Sequence, residues 1–235
     1  MQRDVLTERF FTSLISGDRV ASRAIVEETL TAGCSPQAAL GRLFWPTNEH
    51  IQQLHRNDQI SALAHNFATR LMRSLAEQLQ PRLAQKPRNG KKVLMVCGNE
   101  QGEELGAQIS ADLLEANGYE MYFVGGGVAN DELVGQVGEV KPDLLVIFGA
   151  IPETVPQTRL LIDRLHEIGV CPLLQIAVGG GVFNRAEGLS EEIGADLWAA
   201  NPEELVQVIT QDPDRRMTPD QRTVGRKRRI KRNAA

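Results

Sequence analysis

Lys91-Lys-Val-Leu-Met-Val-Cys-Gly-Asn-Glu-Gln-Gly-Glu-Glu-Leu-Gly106 is the stretch on which the fold turns. Residues 93–97 form a short apolar run suited to a buried strand. Gly98 and Gly102 interrupt it, and apolar positions from Ile109 to Leu114 then recur with helical spacing. Strand, glycine-containing turn and helix make the first half of a βαβ unit. In open α/β sheets the ligand lies at the carboxyl ends of the strands, so residues 98–106 are expected at the mouth of a binding site. The glycines do not follow G-x-G-x-x-G and no Walker lysine is present, which argues against a dinucleotide or nucleoside triphosphate there.

Downstream, strand patterns at 93–97, 120–124, 144–148, 173–178 and 197–199 alternate with helical patterns near 105–117, 130–139, 155–168, 186–194 and 202–210. Regular alternation with strands of about five residues predicts an α/β domain: a flavodoxin-like (Rossmann-like) five-stranded parallel sheet of order 2-1-3-4-5, covered on both faces. Two more glycine-rich points fall at strand ends, Gly125-Gly-Gly-Val128 and Gly179-Gly-Gly-Val182. Taken singly, each reads first as a tight βα turn. The second reading is a place where a flat ligand approaches the backbone.

Upstream, residues 3–79 read as helices throughout. A first helix stops at Ser16-Gly17-Asp18, and Asp18 caps a second that ends at Gly33. Ser35-Pro36 opens a third, which Pro46 is expected to close. Further helices follow over 48–57, from Ile60-Ser61 onward, and over 67–79. The expected organisation is an N-terminal all-helical bundle over 1–80, a proline- and charge-rich linker over 81–91, the flavodoxin-like domain over 92–211 and a basic tail over 212–235. Residues 213–235 hold nine Lys or Arg against two Asp, a charge of +7, while the whole chain carries −4. With so little to bury, this tail is expected to be disordered and to bind nucleic acid or an acidic partner surface.

The cysteines Cys34, Cys97 and Cys171 are odd in number and far apart, which fits a reduced cytoplasm better than a disulfide framework or a cysteine metal site. No apolar run of about 18 residues suggests a membrane span, and the N-terminus has no signal-peptide pattern.

The bundle and the domain together resemble the cobalamin-binding module of methionine synthase, corrinoid carrier proteins and light-sensing cobalamin-dependent repressors. The resemblance covers roughly residues 5–210 and is carried by three stretches. Residues 51–69 look like the family's capping-bundle signature. Val178-Gly-Gly-Gly-Val-Phe-Asn-Arg185 and Ile193-Gly-Ala-Asp196 look like its fourth strand end and last βα unit. The family's Asp-x-His-x-x-Gly, whose histidine is the lower cobalt ligand, is degenerate here. With Gly106 on the final glycine, Gln101 takes the aspartate position and Glu103 the histidine position. No histidine lies between His65 and His166 to rescue the motif, and His166 is expected far from the site. The family's Ser-x-Leu falls on Gly149-Ala150-Ile151, and the glycines that face the nucleotide tail are retained as Gly179 and Gly180. The tryptophan above the corrin falls on His55, and the Glu-His pair falls on His65-Asn66.

What the resemblance implies is a cofactor slot formed by Gln101, Glu103, Gly106, Gly149, Ile151, Gly179, Gly180 and His55, with His65 as a further metal-ligand candidate. An imidazole supported by a carboxylate suits cobalt, and glutamate with glutamine does not reproduce that pair. The expected function is therefore a non-catalytic sensor or regulatory protein that binds cobalamin without a lower histidine, or has lost it. The alternatives are a corrinoid carrier in methyl transfer with partner methyltransferases, a heme or other tetrapyrrole sensor, and a ligand-free interaction module. No catalytic triad or carboxylate pair stands at the strand ends to suggest independent catalysis. A bundle no longer covering a corrin exposes a face for a protein partner or homodimer, unless Phe44 and Trp45 refill it.

Overall fold

Helix ends in the first third of the chain are set by side-chain caps, as the sequence suggests. The structure, a computed structural model, describes residues 2–217. Helix α1 (Gln2–Ile15) closes at Gly17, whose φ of +72° is left-handed. The Asp18 carboxylate accepts from the N–H groups of Val20 (3.1 Å) and Ala21 (2.9 Å) and opens α2 (Arg19–Thr31). Ser35 and Pro36 open α3 (Pro36–Ala39), and Ser61 caps α5 (Ala62–Leu79).

Pro46 does not close the third helix. A π-helical segment, Leu40–Phe44, carries the chain from α3 directly into α4 (Trp45–Arg56). Pro46 lies in the first turn of α4, and the π-helical turn before it, in which the Trp45 N–H donates to the Leu40 carbonyl, accommodates the missing Pro46 N–H.

The stretch after α5 is strapped to the next layer. Leu83 is buried in the bundle core, the N–H groups of Lys86 and Asn89 donate to the carbonyls of Ala116 (2.8 Å) and Gly118 (3.0 Å), and Arg88 donates to the Tyr119 carbonyl at 2.6 Å.

The domain alternates as expected. Its elements are β1 (Lys92–Cys97), α6 (Gln101–Ala116), β2 (Glu120–Gly125), α7 (Asn130–Val140), β3 (Leu144–Phe148), α8 (Val155–Ile168), β4 (Gln175–Gly179), α9 (Gly181–Arg185), α10 (Leu189–Glu192), β5 (Leu197–Ala199) and α11 (Pro202–Gln211). The sheet is parallel throughout, in the order β2-β1-β3-β4-β5. The expected strand over 173–178 begins only at Gln175, because Leu173 is 81% exposed. The expected helix over 186–194 shrinks to α10, which starts after Gly188 with its φ of +89°, and the short α9 precedes it.

Helix α6 belongs to two cores. Leu105, Ile109 and Leu113 face the bundle, with Phe10, Leu14, Phe44 and Met72. Ala107, Ala111 and Leu114 face the sheet, with Val93, Met95 and Leu197. Positions four apart share a face, so one amphipathic helix serves both layers and fixes the bundle over one end of the domain.

The tail does not leave the domain at position 212. The Gln175 amide donates to the carbonyls of Asp212 (2.8 Å) and Arg215 (2.9 Å), and the Met217 N–H donates to the Asp196 carboxylate. The basic run that follows lies outside the described residues, and with it most of the expected polyanion-binding segment.

Candidate functional site

The carboxyl ends of three strands meet in a glycine rim. The Gly98 N–H donates to the Gly149 carbonyl at 3.0 Å, and the Gly149 N–H donates to the Gly179 carbonyl at 2.8 Å. This continues the hydrogen-bond ladder past β1, β3 and β4. The start of α6 lies directly on this rim: a Cβ at Gly149, whose φ is +75°, would stand 2.7 Å from the Glu103 carbonyl oxygen. Ile151 is half-buried beside Gly98.

Helix α4 crosses above this end and is tied to α6 by a buried chain of hydrogen bonds. His65 Nε2 donates to Gln52 Oε1 (3.0 Å), Gln52 Nε2 donates to Asn48 Oδ1 (3.4 Å), and Asn48 Nδ2 donates to the Gly102 carbonyl (3.1 Å). The glycine at 102 leaves room for Gln52 where it lies, since a Cβ there would fall 1.9 Å from its amide nitrogen. The His55 ring stacks on His65, with centroids 4.0 Å apart and planes at 18°, and its Nδ1 is buried without a hydrogen-bond partner. Burial, and then His55, depresses the His65 pKa, which suits that ring to the neutral state.

Four charges line the seam between α4 and the domain. Glu103, 6% exposed, lies 3.7 Å from Arg185 of α9. Burial pushes the Glu103 carboxyl up to about 7, and Glu49 adds to the shift, while Arg185 and Arg56 oppose it. Burial also raises Glu49 and lowers Arg56. Cys97, at the end of β1, is held as a neutral thiol by burial and by Glu104, with its pKa pushed up to about 12. Among the described residues no group of three or more His, Cys, Asp or Glu side chains could hold a metal ion.

Beside these charges runs a slot floored by Gly106, Gly179 and Gly180. Two aromatic rings fill it. Trp45 is 8% exposed and Phe148 fully buried, and their rings meet edge-on with centroids 5.6 Å apart at 63°. A Cβ on Gly106 would stand 2.8 Å from the Trp45 ring, and Cβ atoms on Gly179 and Gly180 would each stand 2.8 Å from Phe148.

A B12 binding domain family model matches residues 91–207. This chain carries a B12 binding domain. Relatives extend the likeness into the bundle. The dimethylamine corrinoid protein 1 of Methanosarcina acetivorans is 26% identical over 187 residues, covering 77% of this chain and 79% of the relative. The trimethylamine corrinoid protein 2 of the same organism is 22% identical over 200 residues, covering 84% and 91%. The solved Methanosarcina barkeri monomethylamine corrinoid protein shares the fold, with a TM-score of 0.76 at 20% identity over 88% of this chain and 98% of that one. The family match and these relatives support cobalamin as the cofactor of the B12 binding domain.

Within this domain the residues singled out from sequence do not all converge. Glu103, Gly106, Gly149, Gly179 and Gly180 gather around the rim and slot, and Ile151 borders it. Gln101 is exposed on the opposite side of the first turn of α6, in a groove with Thr69, Arg73 and Glu104. His55 and His65 are brought together although they stand on different helices, and one His65 nitrogen is already committed to Gln52. His166 sits near the end of α8, at the far end of the sheet from the rim. Sequence reading missed Asn48, Gln52, Glu49, Arg56, Arg185 and Phe148. The polar spacing 48, 52, 55 on an amphipathic helix was a legible signal for the first two. Nothing local marked Arg185 or Phe148.

The Gly125–Val128 triplet serves a different place. Gly125, Gly127 and Val128 line a crevice of about 450 Å³ at the β1/β3 switch point, with Asn99, Asn130 and Thr158.

The site's residues do not fit a cobalamin held by a lower histidine with its nucleotide tail in the slot. The donor at position 103 is a carboxyl paired with arginine, and the slot is occupied by Trp45 and Phe148.

Proposed function

We propose that this protein is a corrinoid protein of the methyl-carrier type, working with partner methyltransferases, and that no protein imidazole serves the lower face of its cobalt. The observation that supports this reading is the reach of the similarity. It spans bundle and B12 binding domain together, in relatives named as dimethylamine and trimethylamine corrinoid proteins. That favours the carrier alternative over the sensor reading drawn from the broken motif.

When bound, the corrinoid would supply the cobalt centre that accepts and releases a methyl group. The chain's own residues hold and shield that place. The glycine rim brings backbone close to a flat ligand. The bundle excludes water from the strand ends through α4, Asn48 and Gln52. Glu103 holds a proton near neutral pH and gives it up to leave a carboxylate facing Arg185. A carboxyl donates no nitrogen to a metal, so the match to cobalt's usual imidazole is lost at this position.

Titration of hydroxocobalamin into the purified chain, followed by reduction to cobalt(II) and EPR, tests the reading. Stoichiometric binding without nitrogen hyperfine splitting from a protein ligand below the ring is expected. In Glu103→His that splitting should appear. No binding by either protein would refute the corrinoid reading, and histidine splitting in the wild type would refute the unligated lower face.

A further inference from the structure

Resting on the corrinoid reading, we propose that this chain recognises its corrinoid by the ring alone, with Trp45 and Phe148 as a built-in aromatic plug that keeps the nucleotide tail out of the domain.

In the family the chain resembles, the paired glycines at the end of the fourth strand face the nucleotide tail. Here those glycines face a phenylalanine: opposite edges of the Phe148 ring, through Cε2 and Cε1, lie against Gly179 and Gly180. The third glycine of the slot, Gly106, faces the indole of Trp45. Phe148 is fully buried and Trp45 nearly so, and Trp45 belongs to the same apolar cluster as Met95, Ala107, Ala177 and Ala199. Interiors at this density hold no spare volume, so a benzimidazole-sized group and the two rings cannot share the slot.

The plug is also anchored. Trp45 opens α4, between the π-helical segment and Pro46, so its backbone has little freedom to turn the ring outward. The preceding residue, Phe44, is locked in the bundle core against Phe10, with ring centroids 5.2 Å apart. Further along the helix, Asn48 and Gln52 bind α4 to the first turn of α6. Trp45 therefore leaves the slot only if α4 moves as a unit. The glycine rim at Gly98 and Gly149 is met by the backbone of Gly149 and Glu103 rather than by an aromatic ring. A ligand that presents only its macrocycle meets the rim. One that must bury a tail meets the plug.

The test compares hydroxocobalamin with diaquacobinamide, which lacks the nucleotide tail, by absorbance titration against the full chain. The wild type is expected to bind the two with Kd values within about threefold of each other. In Trp45→Ala, cobalamin should gain at least about tenfold over cobinamide, because the vacated slot admits the tail. Trp45→Leu, which keeps apolar bulk, serves if the alanine variant fails to fold, and a smaller gain in the same direction is expected. A wild-type preference for cobalamin of tenfold or more would overturn the plug, as would an unchanged cobalamin-to-cobinamide ratio in a folded Trp45 variant. Either result would leave the corrinoid reading standing. Binding of neither compound by wild type or variants would overturn both.

Discussion

The imidazole of His55 lies flat on that of His65, 4.0 Å away and 18° from parallel, and His65 is joined through Gln52 and Asn48 to the first turn of α6. Two rings this close cannot both carry charge cheaply. Burial, together with His55, depresses the His65 pKa below 6.5. In the unfolded chain His65 takes its proton first as pH falls below 6.5, so the unfolded state binds more protons and folding stability declines. Urea denaturation from pH 7 to pH 5 should show wild type losing stability relative to His65→Gln, with the two converging above pH 7. Parallel pH profiles would show that His65 does not titrate as described.

Glu103 produces a slope of opposite sign. Its carboxyl ionises at about 7 in the folded protein and at 4.5 when exposed. Between those values the folded state keeps a proton that the unfolded state has lost, so stability falls as pH rises through this window. Glu103→Gln should remove the slope and stabilise the protein by roughly 1–3 kcal/mol at pH 7.5, with no gain below pH 4.5. A loss at pH 7.5 would mean that the Arg185 contact outweighs the burial of the charge.

The chain His65–Gln52–Asn48–Gly102 predicts coupled losses. Gln52→Ala leaves the His65 donor unpaired in the interior and should cost roughly 1–3 kcal/mol. Gly102→Ala should cost a similar amount by pushing the same side chain aside. Because both act through Gln52, the double variant should cost little more than either alone. Additive losses in thermal or urea denaturation would contradict a shared cause.

The C-terminus should divide at Met217. Truncation after Met217 is expected to leave stability unchanged. Truncation after Gln211 removes the acceptors of the buried Gln175 amide and a donor to Asp196, and should cost roughly 1–3 kcal/mol. Seven Lys or Arg follow Met217, so any nucleic-acid binding by the full chain should fall steeply with salt and vanish in the chain ending there. Equal binding by both would remove the tail from consideration.

The sequence by itself determined the layers of this protein. Apolar runs and glycine turns from Lys92 onward gave the strands and helices, because such patterns are a local property of side-chain placement, and the strand order followed from the common order of such α/β sheets. Caps at Asp18 and Ser35 gave helix starts for the same local reason. The break in the cobalt-ligand motif at Glu103 was equally plain in one dimension. What only the tertiary structure decided is who meets whom at the strand ends. Trp45 and Phe148 stand 103 positions apart, and no local pattern says that their rings close one slot. Glu103 reads as a solvated helix-start residue until α4 and α9 bring Glu49, Arg56 and Arg185 around it and take away its water. Such contacts depend on how α6 seats the bundle against the sheet, and that seating is fixed by the summed packing of two cores rather than by any single segment.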